Sequence, residues 1–271
     1  MEFRNLKKKL KLIKISLEYN FKVDTAYWFE NISGTVFVLI YAVLVIIFNE
    51  IIFTTTESIG PYDKNMMRFF ITIASFNFFM FGYMLVPSLM TMIRDINTGA
   101  FDYNLIRPVP SLFYTLTKSL NWFTLVRDGF AQTVLCAMFV KWGSLNLELG
   151  NIIIAIIIWC LGQYLTQFVL FLFAITAFKT GESSSMVEII WAFDYRLNRT
   201  IPFDPLPSAI KVGFMFILPL IYTTGVTVSV ALGLSNPIKM LSATLITTVV
   251  AYTLQQFIWK KALAGYTSAS S

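Results

Sequence analysis

The chain has 271 residues, of which 56% are hydrophobic and 13% charged, with a mean hydropathy of +0.68. A soluble domain carries about 25% charge, so this composition points to lipid as the solvent and excludes an ordinary soluble enzyme or nucleic-acid-binding module. The net charge of +6 is explained below by where the basic residues fall.

Residues 3–22 come first. Leu6, Leu10, Ile13 and Leu17 recur at helical spacing among Lys7, Lys8, Lys11 and Lys14. This pattern predicts a basic amphipathic helix at a membrane interface. No small-residue cleavage site follows a short apolar core, so a cleavable signal peptide is not expected. A spanning helix needs about 20 apolar residues. Six segments meet that length: Ser33–Phe53, Arg68–Ile93, Ser119–Val140, Asn151–Phe178, Lys211–Leu232 and Ile238–Trp259. The expected fold is an all-α integral membrane protein with six transmembrane helices. Residues 1–32 form its N-terminal segment, 33–259 the membrane domain and 260–271 a tail. Continuous apolar runs such as Ile152–Trp159 argue against a strand barrel, which would alternate.

The placement of Lys and Arg orients these helices. The N-terminal region, the segment with Arg94, Arg107 and Lys118, the segment with Lys179, Arg196, Arg199 and Lys211, and the tail with Lys260 and Lys261 all fall on one side. Only Lys64, Arg68, Lys141 and Lys239 fall on the other. The expectation is a multi-pass protein of the cell membrane, bacterial by type, with both termini and both large connections, Arg94–Lys118 and Lys179–Ser208, in the cytoplasm. Any soluble partner then docks from inside.

The polar residues within the spans come next. Asn77 sits in the second helix, with Gly82 and Pro87 nearby to allow a bend. Arg127 and Asp128 lie in the third; as immediate neighbours on a helix they are not expected to face each other, so each needs another partner or a hydrated interior. Gln163 and Gln167 share a face of the fourth. These five are candidates for a translocation path, with interhelical hydrogen bonding as the plainer role. Thr223, Thr224, Thr227 and Ser229 in the fifth helix fit a close-packed dimer seam. Cys136 and Cys160 read as buried hydrophobes. With no His and no phosphate-binding loop, no catalytic residue and no metal site are expected, and any ATP and magnesium belong to a partner chain.

The run Met92–Val109 is the most informative: a helix end, a Gly turn, a short amphipathic segment with Phe101, Asp102 and Arg107 and a stop at Pro108. Its Gly99, Phe101, Asp102, Leu105, Arg107 and Pro108 resemble the signature of type-2 ATP-binding-cassette (ABC) transporter permeases, closest to the viologen or multidrug exporter-like branch. Trp259–Ser270 is similar to that branch's ending, and Gly60–Met66 to a motif before its second helix. Gly265 and Asn65 depart from the pattern. The resemblance implies a coupling helix between helices two and three. It would meet the ATPase through Thr98, Gly99, Phe101, Asp102, Arg107 and Pro108. It also implies two cytoplasmic ATPase subunits and a second permease, identical or homologous. The function it implies is ATP-driven export of an amphipathic substrate such as a drug, peptide or lipid-linked compound. An ATP-independent channel, a secondary transporter or a membrane assembly factor are the alternatives. The secondary transporter loses ground because residues 33–140 and 151–259 show no convincing internal repeat.

Overall fold

In the computed structural model, residues 28–80, 86–120, 125–200 and 202–266 are described, with scattered positions between 11 and 26. The described residues are helical throughout, apart from turns and one isolated bridge between Ile59 and Tyr62. Of the N-terminal apolar stripe only Ile13 is described, and it is helical. Leu6, Leu10 and Leu17, like Gly82 and the tail 267–271, lie outside the described residues.

Helix α1 (Trp28–Thr55) is a run of apolar side chains, about 42 Å long at 1.5 Å per residue against a bilayer core of about 30 Å. The chain turns at Gly60–Pro61, and Asp63 caps α2 (Lys64–Phe79) by accepting from the backbone N–H groups of Asn65 and Met66 at 2.7 and 2.8 Å. Helix α3 is described over Val86–Thr98. A one-turn helix α4 (Asp102–Leu105) and the short α5 (Ser111–Thr117) close one end of the molecule, the Gly99 end. A π-helical turn, Leu125–Gly129, then leads into α6 (Phe130–Ala137). Helix α7 (Leu149–Ala174) runs on into α8 (Ala177–Thr180) as one apolar span of 32 residues. It is the axis of the bundle. Cys136 is buried as expected, but Cys160 is exposed, because it sits on the outward face of α7.

The chain next departs from the expected map. The connection anticipated after residue 179 is largely a helix, α9 (Ser184–Thr200), which runs the length of the bundle. The expected fifth span, Lys211–Leu232, is broken. Its first arm is α10 (Ser208–Val212) continued as a π-helix over Gly213–Ile217. Its second arm is the π-turn Tyr222–Val226 continued as α11 (Thr227–Ala231). The two arms bend by 108° about residues 218–221. Pro219 is the cause: it has no N–H to give, and its ring clashes with the carbonyl four residues back. The first arm runs back along α9, with Phe214 against Phe193 (5.9 Å between ring centres). Leu220 at the bend packs on Val169, past the middle of the α7–α8 span. The second arm then climbs along α7 until Gly233 lies beside Asn151. The broken element therefore enters and leaves at the same end, the Gly60 end, and Lys211, grouped above with the basic side, lies there as well. The last helix, α12 (Pro237–Ala264), is capped by Asn236, which accepts from the N–H of Lys239 at 3.0 Å.

Among the described residues, α1, the α7–α8 span and α12 are each long and apolar enough to cross a membrane. The wide apolar outer surfaces of α1 and α12, with Phe37, Phe48, Ile246 and Phe257 exposed, fit a lipid surround.

Candidate functional site

At the Gly99 end, a glycine lets the chain reverse. Gly99 adopts φ +74°, a conformation side-chain-bearing residues avoid, and the N–H of Phe101 then donates to the Asp95 carbonyl at 3.0 Å. Asp95 also pairs with the Lys118 ammonium and accepts from the Asn104 amide at 3.3 Å. This ties α3, α4 and the segment after α5 together. The Phe101 ring is fully buried, with ring centres at 5.1 Å to Phe178, 5.4 Å to Tyr266 and 6.0 Å to Trp259. The resemblance implied that Phe101 meets the ATPase; its ring is instead buried within the chain. The sharp turn at Gly99 aims the ring back into the bundle, where it fixes the turn to α8 and the end of α12.

What projects from this base is the neighbouring surface. Tyr103 and Ile106 are 67% and 78% exposed, and Arg107 and Pro108 are exposed beside them. The Arg107 guanidinium lies 5.5 Å from the centre of the Tyr114 ring, within cation–π range. Thr98 is exposed and its hydroxyl donates back to the Arg94 carbonyl at 3.0 Å; Asp102 is half-buried. A second turn abuts the first: the Asn97 amide donates to Glu182 at 3.2 Å. Glu182 in turn accepts from the N–H of Ser184 at 2.6 Å, capping α9. Its hydrogen bonds with Ser184 hold its carboxyl below the ordinary glutamate range.

The five intramembrane candidates fall into two groups. Asn77 of α2 accepts a hydrogen bond from the Gln163 amide of α7. Gln167, one turn on, is also buried. Arg127 and Asp128 lie elsewhere and, against expectation, pair with each other through two bonds of 2.6 Å. The π-turn at Leu125–Gly129 widens the backbone enough for the long guanidinium to curl onto its neighbour. Thr35 of α1 donates to the same carboxylate. The pair thus fastens α1 to the third helical segment and satisfies a carboxylate that is only 3% exposed. Thr223, Thr224, Thr227 and Ser229 are buried inside the chain rather than on an outer seam. The π-turn that carries the first two lies against Gly162 of α7, where any Cβ would come within 3.0 Å of the Thr223 nitrogen.

Sequence reasoning missed a latch at the Gly60 end. The buried Tyr62 hydroxyl donates to Asp204 at 2.7 Å. Ser229 and Ser235 donate to the other carboxylate oxygen at 2.9 and 3.3 Å, and the Lys211 ammonium donates to the Asp204 carbonyl at 2.8 Å. One residue thus joins the first turn to both arms of the broken element. Burial, then the charge of Asp204, pushes the Tyr62 phenol above its usual range, so it stays a neutral donor. The available signal was Pro202-Phe203-Asp204-Pro205-Leu206-Pro207, a single acid held among three prolines.

Among the described residues no group of acidic, His or Cys side chains is placed to hold a metal. No curated protein matches the sequence. Residues 39–270, almost the whole chain, match the family model described as ABC-2 family transporter protein. With apolar spans, a buried polar interior and a stiff turn where the resemblance to type-2 permeases placed one, the chain belongs to the ABC-2 transporter family and is a multi-pass membrane transport component.

Proposed function

We propose that this chain is the permease subunit of an ATP-driven exporter of amphipathic compounds in a bacterial plasma membrane. It pairs with a second permease, identical or homologous, and with two cytoplasmic ABC ATPase subunits that bind ATP and magnesium. The Gly99 end and both termini face the cytoplasm, and the chain itself has no hydrolytic role.

The observation that carries the proposal is the surface formed by Tyr103, Ile106, Arg107 and Pro108, exposed at the tip of a turn that is anchored underneath by Phe101 and by the Asp95–Lys118 pair. An apolar and basic knob on a stiff base transmits force; the same residues on a loose loop would dissipate it. Thr98 and Asp102 border the contact, while Gly99 and Phe101 shape it from within. Docking of exposed anchors of this kind costs about 2 kcal/mol or more to lose. The test is to purify Ile106→Asp and Arg107→Glu variants with the ATPase and compare copurification and substrate-stimulated hydrolysis with wild type. Loss of either, with thermal stability unchanged, is expected. Full assembly and full stimulation in both variants would defeat the proposal.

A further inference from the structure

At the Gly99 end, the last turns of the α7–α8 span and of α12 leave a cleft of about 480 Å³ between them. The volume falls within the range of small-molecule sites. No residue that lines it is buried, so the cleft opens on the outside of the bundle. Both walls carry the same order of chemistry. On the α7–α8 span Ile175 is followed one turn later by Lys179, and on α12 Ile258 is followed by Lys261. Residues three or four apart share a helix face, so each wall changes from apolar to cationic over a single turn, in the same direction. The spans end just beyond, at Thr180 and Ala264. That sets the lysines at the level of a membrane's headgroups and the isoleucines at the level of its chains.

Lys179 and Lys261 are both exposed, and neither pairs with a carboxylate among the described residues. Glu182, the acid nearest to Lys179 in sequence, is already engaged by the Asn97 amide and the N–H of Ser184. The hydroxyls at the cleft are engaged as well: Thr176 donates to the Phe173 carbonyl at 2.7 Å and Thr180 to the Glu182 carbonyl at 2.9 Å. The two ammonium groups are therefore the donors this cleft offers. A lysine at a helix C-terminus complements the macrodipole, which accounts for one cation at the end of each helix. It does not account for an apolar cleft beneath the pair. Apolar walls under two cations match an anionic head carried on a hydrocarbon chain better than a soluble anion, which would leave those walls unused.

We propose that this cleft binds one anionic phospholipid from the leaflet at the Gly99 end. The lipid phosphate sits between Lys179 and Lys261 and accepts from both, while the upper part of an acyl chain lies against Ile175, Phe178 and Ile258. A zwitterionic lipid brings its own cation beside the phosphate, which opposes the two lysines. Phe178 is also a ring on which Phe101 packs, at 5.1 Å, so an occupied cleft braces the base of the turn at Gly99. Binding requires only that the chain lies in a membrane. The bracing step rests on the permease reading above.

Native mass spectrometry of the purified full-length chain in detergent counts the lipids bound. The probes are dioleoyl phosphatidylglycerol, dioleoyl phosphatidylcholine and soluble glycerol phosphate. One phosphatidylglycerol per chain should bind saturably, about ten- to thirtyfold tighter than phosphatidylcholine, which is the effect of two lysines beside an anionic head. Lys179→Gln combined with Lys261→Gln should bring the two lipids to equal affinity, with melting unchanged because both side chains are exposed. Lys260→Gln removes the same charge from the next position on α12, outside the cleft, and should keep the preference. Gly265→Phe keeps both lysines and places a ring over the cleft. A Cβ at Gly265 meets nothing closer than 3.8 Å, so this variant should fold and lose saturable binding. Equal affinity for the two lipids in the wild type, or a preference that survives the double substitution, overturns the proposal. So does a loss in Lys260→Gln as large as in Lys261→Gln alone, which would mean diffuse attraction in place of a site. Saturable binding of phosphatidylglycerol to a folded Gly265→Phe variant also overturns it; if that variant does not fold, the lysine variants decide. Excess glycerol phosphate should not displace the lipid; displacement would make this a site for a free phosphate and refute the lipid as occupant. If binding behaves as proposed while phosphatidylglycerol raises hydrolysis by the assembled complex no more than phosphatidylcholine does, the bracing step fails and the site stands.

Discussion

Replacing Phe101 with Ala separates the base of the coupling turn from its docking surface. The ring is fully buried and touches Phe178, Trp259 and Tyr266 at 5.1–6.0 Å. Truncating a buried Phe costs about 3–5 kcal/mol through lost contacts and the cavity left behind, a large part of a typical stability of ~5–15 kcal/mol. At roughly 2–4 °C per kcal/mol for a chain somewhat smaller than this one, the melting temperature should fall by about 6–20 °C. Phe101→Leu keeps most of the volume and should recover more than half of that. Ile106→Ala, at a position 78% exposed, should change stability by less than about 0.5 kcal/mol. Cys136 offers the assay: it is 2% exposed, so in a Cys160→Ser background a thiol-reactive fluorophore reports unfolding as temperature rises. If Phe101→Ala melts within about 1 °C of wild type, the ring is not part of the packed base, and the distinction drawn here between anchor and docking surface is wrong.

Other consequences can be checked with similar effort. Asp204→Ala strands the buried Tyr62 hydroxyl and should cost about 1.5–3 kcal/mol, the range for a hydrogen bond to a charged group; an unchanged melting temperature would mean the latch is incidental. Because the Tyr62 pKa is raised in the fold, its contribution should be complete below about pH 10, the unfolded value, and be lost only as pH rises through the higher folded value; spectroscopic titration should find Tyr62 ionising at a lower pH in Asp204→Ala than in wild type, though still above an ordinary tyrosine because its burial remains. Gly162→Ala forces a methyl against the Thr223 backbone and should destabilise by about 1–3 kcal/mol, whereas Gly150→Ala, with nothing within 4 Å, should be neutral or stabilising; equal effects at the two glycines would refute the close approach. Cysteines at Thr56, Asn146 and Lys211 should be labelled from one face of the membrane and a cysteine at the exposed Ser185 from the other; Lys211 labelled from the Ser185 side would undo the broken-helix topology.

Much of the architecture was legible because lipid imposes a simple demand. Long apolar runs at α1, α7 and α12 read directly as spans, and the turn at Gly99–Pro108 was visible from glycine and proline alone. Hydropathy reports composition and not direction, which is why Lys211–Leu232 read as a crossing although Pro219 folds it back. The same blindness hid α9: Glu188, Asp194, Arg196 and Arg199 depress its hydropathy, yet it runs the length of the bundle and brings Asp204 to Tyr62. Residue-level readings failed where backbone geometry departed from the α-helix. The π-turn pairs Arg127 with its own neighbour, and the glycine turn buries Phe101. Asn77 and Gln163 were each picked out as polar residues in apolar company, but their contact across 86 residues leaves no local trace.

The latch also sets an order of events at biosynthesis. Tyr62 and Asp204 are 142 residues apart, so at about 5–20 residues per second the ribosome needs roughly 7–28 s after making the tyrosine to deliver its acceptor. Throughout that interval the first helical hairpin must wait with a phenol that has no place to go, and the two arms of the broken element cannot be seated before the segment Pro202–Pro207 arrives. The last quarter of the chain therefore acts as a keystone. Products that end before residue 204 leave the Gly60 end open, however well their individual helices insert, and present the membrane quality-control machinery with an exposed aromatic as a mark of an unfinished subunit.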